Sequence, residues 1–283
     1  MIGAPPPAFG HYTLPPRREA LRRKADTIPN TKFGRLAISA IRKLAFRNLP
    51  DPFDIAVMPG VNARLYPRSN RCEKRGFAGI QIWDAVERQT LSNALDNSSS
   101  KPFVFLDVGA NVGLYSLILA AHAKTKTKPV RILAFEPDPI NRARFEFNIK
   151  ASNADINVLP YAVSDADGEG YMSGGDNNRG EARLSPEKKE NAKVQIKTLY
   201  GVCKDENLPH IDAMKVDIEG HDERALGAFF KAAPKTLWPR LLILETGRAH
   251  SPLEATSLLE MCASHGYTLT KRAGINSLLA LNS

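Results

Sequence analysis

Val104-Phe105-Leu106-Asp107-Val108-Gly109-Ala110-Asn111-Val112-Gly113-Leu114-Tyr115-Ser116 runs from an apolar strand through a carboxylate and a glycine turn into an apolar helix. That order is the opening unit of a sheet that cradles a nucleotide-type ligand at its carboxyl edge. Glycines at 109 and 113 are expected to let the turn close tightly and approach a ligand where any Cβ would collide with it. Downstream, Ile132-Leu133-Ala134-Phe135-Glu136-Pro137 reads as a second strand ending in a carboxylate, 23 positions after Gly113. Roughly 20 residues is the distance at which such folds hold a ribose.

The glycine spacing bears on which ligand is expected. A dinucleotide site wants G-x-G-x-x-G, so that pyrophosphate sits on the helix N-terminus. Here the pattern is D-x-G-x-x-x-G. A carboxylate at the strand end repels pyrophosphate but suits a cofactor with an ammonium group and a sulfonium. S-adenosylmethionine has both.

Three blocks in this order, Asp107 to Ser116, Phe135-Glu136-Pro137-Asp138-Pro139 and Lys215-Val216-Asp217-Ile218-Glu219-Gly220, resemble the FkbM family of S-adenosylmethionine-dependent methyltransferases. The resemblance runs from about Phe103 to the C-terminus and leaves residues 1 to 50 outside. It implies an α/β fold, the Rossmann-like class I methyltransferase sheet, mostly parallel, of seven strands, with a C-terminal antiparallel hairpin. It also implies methylation of polyketide-like or sugar acceptors, and it marks Asp217, Glu219 and Gly220 as motif positions.

At 283 residues with 43% apolar content the chain can bury a substantial core. No apolar run approaches the roughly 20 residues that span a bilayer, and the opening is Pro-rich. A cytoplasmic location is the expectation, with peripheral contact at the inner face of the membrane as an extension of it. Cys72, Cys203 and Cys262 lie far apart with no C-x-x-C pair, so a disulfide framework or zinc site is not expected. The net charge of +9 is uneven: residues 1–50 hold ten Lys/Arg against two acids, leaving 29 against 28 in the rest. A nearly neutral remainder argues against a broad nucleic-acid footprint.

Along the chain, three stretches are expected: a basic Pro-rich arm with an amphipathic helix over 1–50, a lead-in subdomain over 51–100, and the methyltransferase domain over 101–283. Residues 1–31 lack an apolar period and are expected to stay mobile. From Phe33 to Arg47, Phe33, Leu36, Ala37, Ala40, Ile41 and Leu44 recur at helical spacing among basic residues. That stripe either docks on the catalytic domain, the favoured expectation, or brings residues 17–47 to an anionic membrane or a partner. Strand-like pieces at 54–57 and 63–66 and a helix from Trp83 to Leu95 follow.

After these, strands at 102–107, 130–136, 156–162, 211–217 and 240–246 alternate with helices at 113–124, 139–152, 222–232 and 252–265, as in a doubly wound parallel sheet. Tyr267 to Thr270 and Ile275 to Leu281 read as the closing hairpin. Residues 164–200, notably Gly174 to Gly180, form a long polar insertion expected to act as a substrate lid.

Asp107, Glu136, Asp217 and Glu245 fall at strand ends, where a doubly wound sheet binds its ligand. Any single one would serve equally as a cap for the next helix. As a cofactor site, Asp107 is expected to reach the amino group, Gly109 and Gly113 to make room for the methionyl portion, and Asn111 to offer amide hydrogen bonds. Ser116 and Pro137 lie in the same two blocks. Glu136 has two oxygens for two vicinal ribose hydroxyls. Ala162 to Asp165 are expected beside the adenine, Asp165 as the polar contact, with Asp217 at the edge of the site.

Methyl transfer requires alignment of acceptor and methyl, and for an alcohol, removal of a proton. Candidates for that proton are Asp217, Glu219, His221, Asp222, Glu245 and His250, with Asp217, Glu219, His221 and Glu245 favoured. His221 reads equally as a plain helix-start histidine. The segment 215–222 departs from the N/D-P-P-Y/F pattern of amino-methyltransferases, which favours an oxygen acceptor. Asp217 and Glu245 could share a divalent cation, a less favoured alternative. Arg179, Arg183, Arg248 and Lys215 are candidates for an acidic acceptor, and Trp83 and Trp238 for sugar stacking or simply for packing. The expected partner is therefore a small-molecule or glycan acceptor. An RNA methyltransferase, a nicotinamide-dependent oxidoreductase and a non-catalytic scaffold are the rival readings.

Overall fold

The computed structural model describes residues 5–173, 183–185, 193–218, 220–247 and 252–282. Residues 1–50 supply α1 (Pro16–Asp26) and α2 (Lys32–Ala45). The next stretch holds a hairpin of β1 (Phe53–Met58) and β2 (Val61–Leu65), then α3 (Arg71–Phe77) and α4 (Ala85–Asn97).

The alternating part begins with β3 (Phe103–Val108), buried at all six positions, as expected of a central parallel strand covered on both faces. It continues through α5 (Leu114–Thr125), β4 (Val130–Phe135), α6 (Pro139–Ser152) and β5 (Asn157–Leu159). A smaller set follows: β6 (Tyr161–Val163), β7 (Gly168–Ser173), β8 (Arg183–Ser185), β9 (Lys193–Lys197) and α7 (Leu199–Asp205). The chain closes with β10 (Ala213–Val216), α8 (Asp222–Ala232), β11 (Leu241–Glu245), α9 (Pro252–Ser264), β12 (Tyr267–Ala273) and β13 (Asn276–Leu281).

Seven strands form one sheet in the order β12-β13-β11-β10-β3-β4-β5. The pairings from β11 through β10, β3 and β4 to β5 are parallel, while β13 is antiparallel to both β11 and β12. Strand order reverses between β3 and β10, which puts the binding crevice at the carboxyl ends of β3, β4 and β10.

Beyond β5 the structure corrects the sequence reading. The strand expected over 156–162 is two strands, because Pro160 has no N–H to continue a ladder. β5 ends the main sheet, and β6 enters a four-stranded sheet ordered β6-β9-β7-β8. The insertion read as a lid therefore contributes strands, and its Gly174 to Gly180 tract lies outside the described residues.

The described part of the arm is folded against the rest of the chain. Arg22 of α1 is 2% exposed and bonds to Glu19, Asp26 and the Phe77 carbonyl. Ahead of it, the Gly10 and Tyr12 N–H groups donate to Asp54, whose carboxylate is paired with the buried Arg64 at 2.7 Å. An apolar-period search misses such a segment, because charge pairs and backbone bonds fix it. α2 buries only Gly34, Ile38 and Ala45; Phe33, Leu36 and Leu44 of the same stripe remain exposed. One buried apolar cluster draws on all three stretches, from Leu14 and Ile38 through Phe53 and Phe77 to Leu117 and Leu278.

Candidate active site

The turn after β3 is built from internal bonds. Gly109 and Ala110 donate to the Phe135 carbonyl at 3.1 and 2.9 Å, and Gly113 donates to Ala110 at 2.8 Å. Gly109, Asn111 and Gly113 all adopt positive φ. A Cβ at Gly109 would lie 2.0 Å from the Asp217 carbonyl oxygen, and one at Gly113 would lie 1.8 Å from the Phe145 ring. Both vacated spaces are therefore filled by protein atoms: the glycines let β10 and α6 approach the turn, whereas the sequence reading had them making room for the methionyl group. Asn111 Oδ1 accepts from Asn70 Nδ2 at 2.7 Å, which ties the turn to α3.

Glu136 is buried, and each of its oxygens takes one backbone N–H: Oε2 from Asn111 at 2.7 Å and Oε1 from Asp138 at 2.9 Å. Burial pushes its carboxyl up to about 8. Each oxygen keeps a second lone pair, so the group retains the capacity to accept from two neighbouring hydroxyls. Pro137 lies between Glu136 and the N-cap of α6, Asp138. Ser116 Oγ donates to Asp107 Oδ2 at 2.6 Å, whereas the buried Oδ1 of Asp107 has no hydrogen-bond partner among the described residues. Burial raises the Asp107 carboxyl above its ordinary range.

Beside Asp107, Lys215 Nζ donates to Asp217 Oδ2 at 2.8 Å and lies 5.1 Å from the centre of the Tyr115 ring. Burial disfavours its charge, but Asp217 and Asp107 outweigh that and hold the amine above its usual value. Tyr115 in turn donates its hydroxyl to Asp84 at 3.0 Å, and Trp83 packs edge-on against it at 5.3 Å. Burial raises the Asp84 carboxyl.

Asp84 precedes α4 in left-handed conformation, φ 42°, and its side chain does not cap that helix. In the sequence it falls inside the helix expected from Trp83 to Leu95, and its bond to Tyr115, 31 residues away, leaves no local pattern. Trp83 and Asp84 also line a cavity of about 420 Å³, together with Arg35, Arg42, Arg75 and Glu87. Arg42 donates to the Ala78 carbonyl and Arg35 to Asn30. Arg75 makes no hydrogen bond or ion pair among the described residues.

The remaining candidates are more dispersed. His221 Nδ1 lies 3.4 Å from Ser164 Oγ, and burial lowers the imidazole below its ordinary value. Asp222 is buried and accepts from the Ile218 and Gly220 N–H groups, an anchor for the α8 turn. Ala162 is buried in β6, while Asp165 pairs with Arg224 on the surface at 3.0 Å. Glu245 ends β11 opposite Asn276, whose amide donates to Glu87 at 2.6 Å. Glu219, Arg179, Arg248 and His250 lie outside the described residues. Trp238 is buried against Phe230 and bonds the Ala233 carbonyl, a packing role. No group of three or more His, Cys, Asp or Glu among the described residues is placed to hold a metal ion.

The sheet order with its antiparallel closing hairpin and the D-x-G-x-x-x-G turn define the class I methyltransferase fold. Over residues 107–269 the chain matches the methyltransferase FkbM domain, and it belongs to that family. Among curated relatives it is 28% identical to the methyltransferase sdnD of Sordaria araneosa, over 46% of this chain and 61% of that protein. A second match, 41% identical to the AMB antimetabolite synthetase AmbE of Pseudomonas aeruginosa, covers 23% of this chain and 3% of that protein. The chain thus spans less than two thirds of the curated relatives it matches. Among solved structures it is similar to the SAM dependent methyltransferase of Agrobacterium tumefaciens, at TM-score 0.46 and 12% identity over 83% of this chain and 71% of that one. It is also similar to the O-methyltransferase of Bacillus cereus in complex with SAH, at TM-score 0.41 and 13% identity over 70% and 81%.

Proposed function

We propose that this chain is an S-adenosylmethionine-dependent O-methyltransferase acting on a hydroxyl of a saccharide or small-molecule acceptor. The observation that carries the reading is the pair of buried strand-end carboxylates, Asp107 with one oxygen that has no partner among the described residues and Glu136 held by two backbone N–H groups. That donor set fits the cofactor: Asp107 would take its ammonium group and Glu136 its ribose hydroxyls. When bound, the cofactor supplies an electrophilic methyl group.

The protein's own task is to align the acceptor and take its proton. Asp84 has the environment for the second part, because burial raises its proton affinity and Tyr115 fixes its carboxylate at the cavity wall. Asp217, read from the sequence as a base, is neutralised by Lys215 and is better suited to ordering the strand end. Arg35, Arg42 and Arg75 at the same cavity favour an acceptor carrying a carboxylate or phosphate.

Calorimetric titration of S-adenosylmethionine and S-adenosylhomocysteine, with NAD as comparison, tests the cofactor. Micromolar binding that Glu136→Ala abolishes supports the reading; preference for NAD overturns it. An acceptor screen that yields N-methylated product alone would overturn the oxygen assignment.

A further inference from the structure

Helix α2 presents two apolar faces, and the protein covers only one. Gly34, Ile38 and Ala45 are buried, whereas Phe33 is 81%, Leu36 64% and Leu44 45% exposed. These are three of the six large apolar side chains exposed among the described residues, and they fall at helical spacing with the exposed Ala37 and Ala40 between them. The strip is about 16 Å long at 1.5 Å per residue. Isolated exposed apolar residues are ordinary, but a contiguous strip marks an interaction surface.

The surroundings of the strip identify its partner by charge. Lys32 and Lys43 flank it on the helix, and Arg47 follows directly, all exposed. On the α1 side, the Arg18 guanidinium bonds the Leu44 carbonyl, and the exposed Arg17, Arg23 and Lys24 lie on the same helix. The two acids of residues 1–50, Glu19 and Asp26, are already engaged by Arg22, and Glu19 also by Arg23. A second copy packed face to face on this strip would bring cations against cations with no acid left to pair them. An anionic bilayer offers both what the strip and its border lack, an apolar interior under a negative surface.

We infer that α2 seats the protein on an anionic membrane surface, Phe33, Leu36 and Leu44 entering the acyl boundary and the flanking cations resting among the headgroups. No helix among the described residues is long and apolar enough to cross a membrane, so the contact lies in the interface. The opposite side of α2 carries Arg35, Ile38 and Arg42, which line the 420 Å³ cavity. Seating therefore sets that cavity within one helix diameter, about 10 Å, of the lipid headgroups.

Removing residues 1–50 is not a usable test, since Leu14, Ala25, Ile38 and Phe46 belong to the buried core. The full chain is instead co-sedimented with vesicles of phosphatidylcholine mixed with phosphatidylglycerol, and with phosphatidylcholine alone. The parent is expected to bind the mixed vesicles in a salt-sensitive manner. Both Phe33→Ser/Leu36→Ser and Lys32→Glu/Lys43→Glu are expected to lose about tenfold or more of that binding. Unchanged thermal melting and unchanged S-adenosylhomocysteine titration in the variants show that fold and cofactor site are intact, so this inference fails or stands apart from the proposed activity. Equal binding by parent and variants overturns it, as does absence of binding. Strip-dependent self-association in sedimentation without lipid also overturns it, in favour of a second copy.

Discussion

The backbone N–H of Asn111 donates to Glu136 Oε2 at 2.7 Å, fastening the turn after β3 to the carboxylate that ends β4. The two motifs that decide the fold are thereby one physical unit, and a change at either is felt by the other.

The protonation of Glu136 should be visible in stability. Burial lifts its carboxyl to about 8, against an ordinary 4.5. Between those values the folded chain holds a proton that the unfolded chain has released, so ligand-free stability is greatest below the window and falls as pH rises through it. Urea unfolding across this range should show the decline in the parent, and in Glu136→Gln a slope smaller by an amount on the order of a few kcal/mol over the window. Parallel curves would show that the carboxyl titrates elsewhere. A ribose accepted by the ionised form would give tighter cofactor binding as pH rises through the same window.

Arg22 is the buried centre of α1, bonded to two carboxylates and to the Phe77 carbonyl. Arg22→Ala removes one donor from each of those groups and should cost about 3 kcal/mol. Arg22→Lys should restore little, because one ammonium cannot reproduce the guanidinium fork. Denaturant midpoints of the three proteins decide the matter; a loss below about 1 kcal/mol in the alanine variant would mean the arm is held by its backbone bonds alone.

Gly113 combines a φ of +78° with a Phe145 ring carbon 1.8 Å from where a Cβ would stand. Gly113→Ala should cost about 2 kcal/mol or more, from overpacking and left-handed strain together. Adding Phe145→Leu should recover the packing part and leave the backbone part, giving a coupling measurable by a double-mutant cycle.

Asp84→Asn keeps the left-handed backbone, which asparagine tolerates, and removes the proton acceptor. Turnover should fall about a hundredfold while cofactor affinity stays within about twofold. Tyr115→Phe, which releases Asp84 from its hydroxyl partner, should show a smaller loss and a shifted pH profile. If both variants lose cofactor affinity in proportion to rate, Asp84 belongs to the cofactor side and another base must be sought.

What the sequence made legible follows from the kind of force involved. β3 is apolar at every position but Asp107, and its glycine turn and the carboxylate of β4 are local patterns with fixed spacing. The seven-strand sheet and its hairpin could therefore be read. The joining of Asp84 to Tyr115, and of Asn70 to Asn111, spans 31 and 41 residues and leaves no periodic trace. Nor does α1, whose buried side chains are one arginine and one alanine. Pro160 stands inside the strand expected over 156–162, and only the partner β9 reveals that the chain changes sheets there.

The buried cluster that joins Leu14, Ile38 and Phe46 to Leu117 and Ala121 separates two boundaries that are easily equated. The family match begins at residue 107, near the end of β3, where shared ancestry can be traced. The packed structure that encloses it begins roughly a hundred residues earlier, where the Gly10 and Tyr12 N–H groups bond to Asp54, the partner of Arg64. A fragment cut at the traceable edge would expose the inner faces of β3 and α5 and should aggregate. The heritable module and the buried core that encloses it have different limits in this chain.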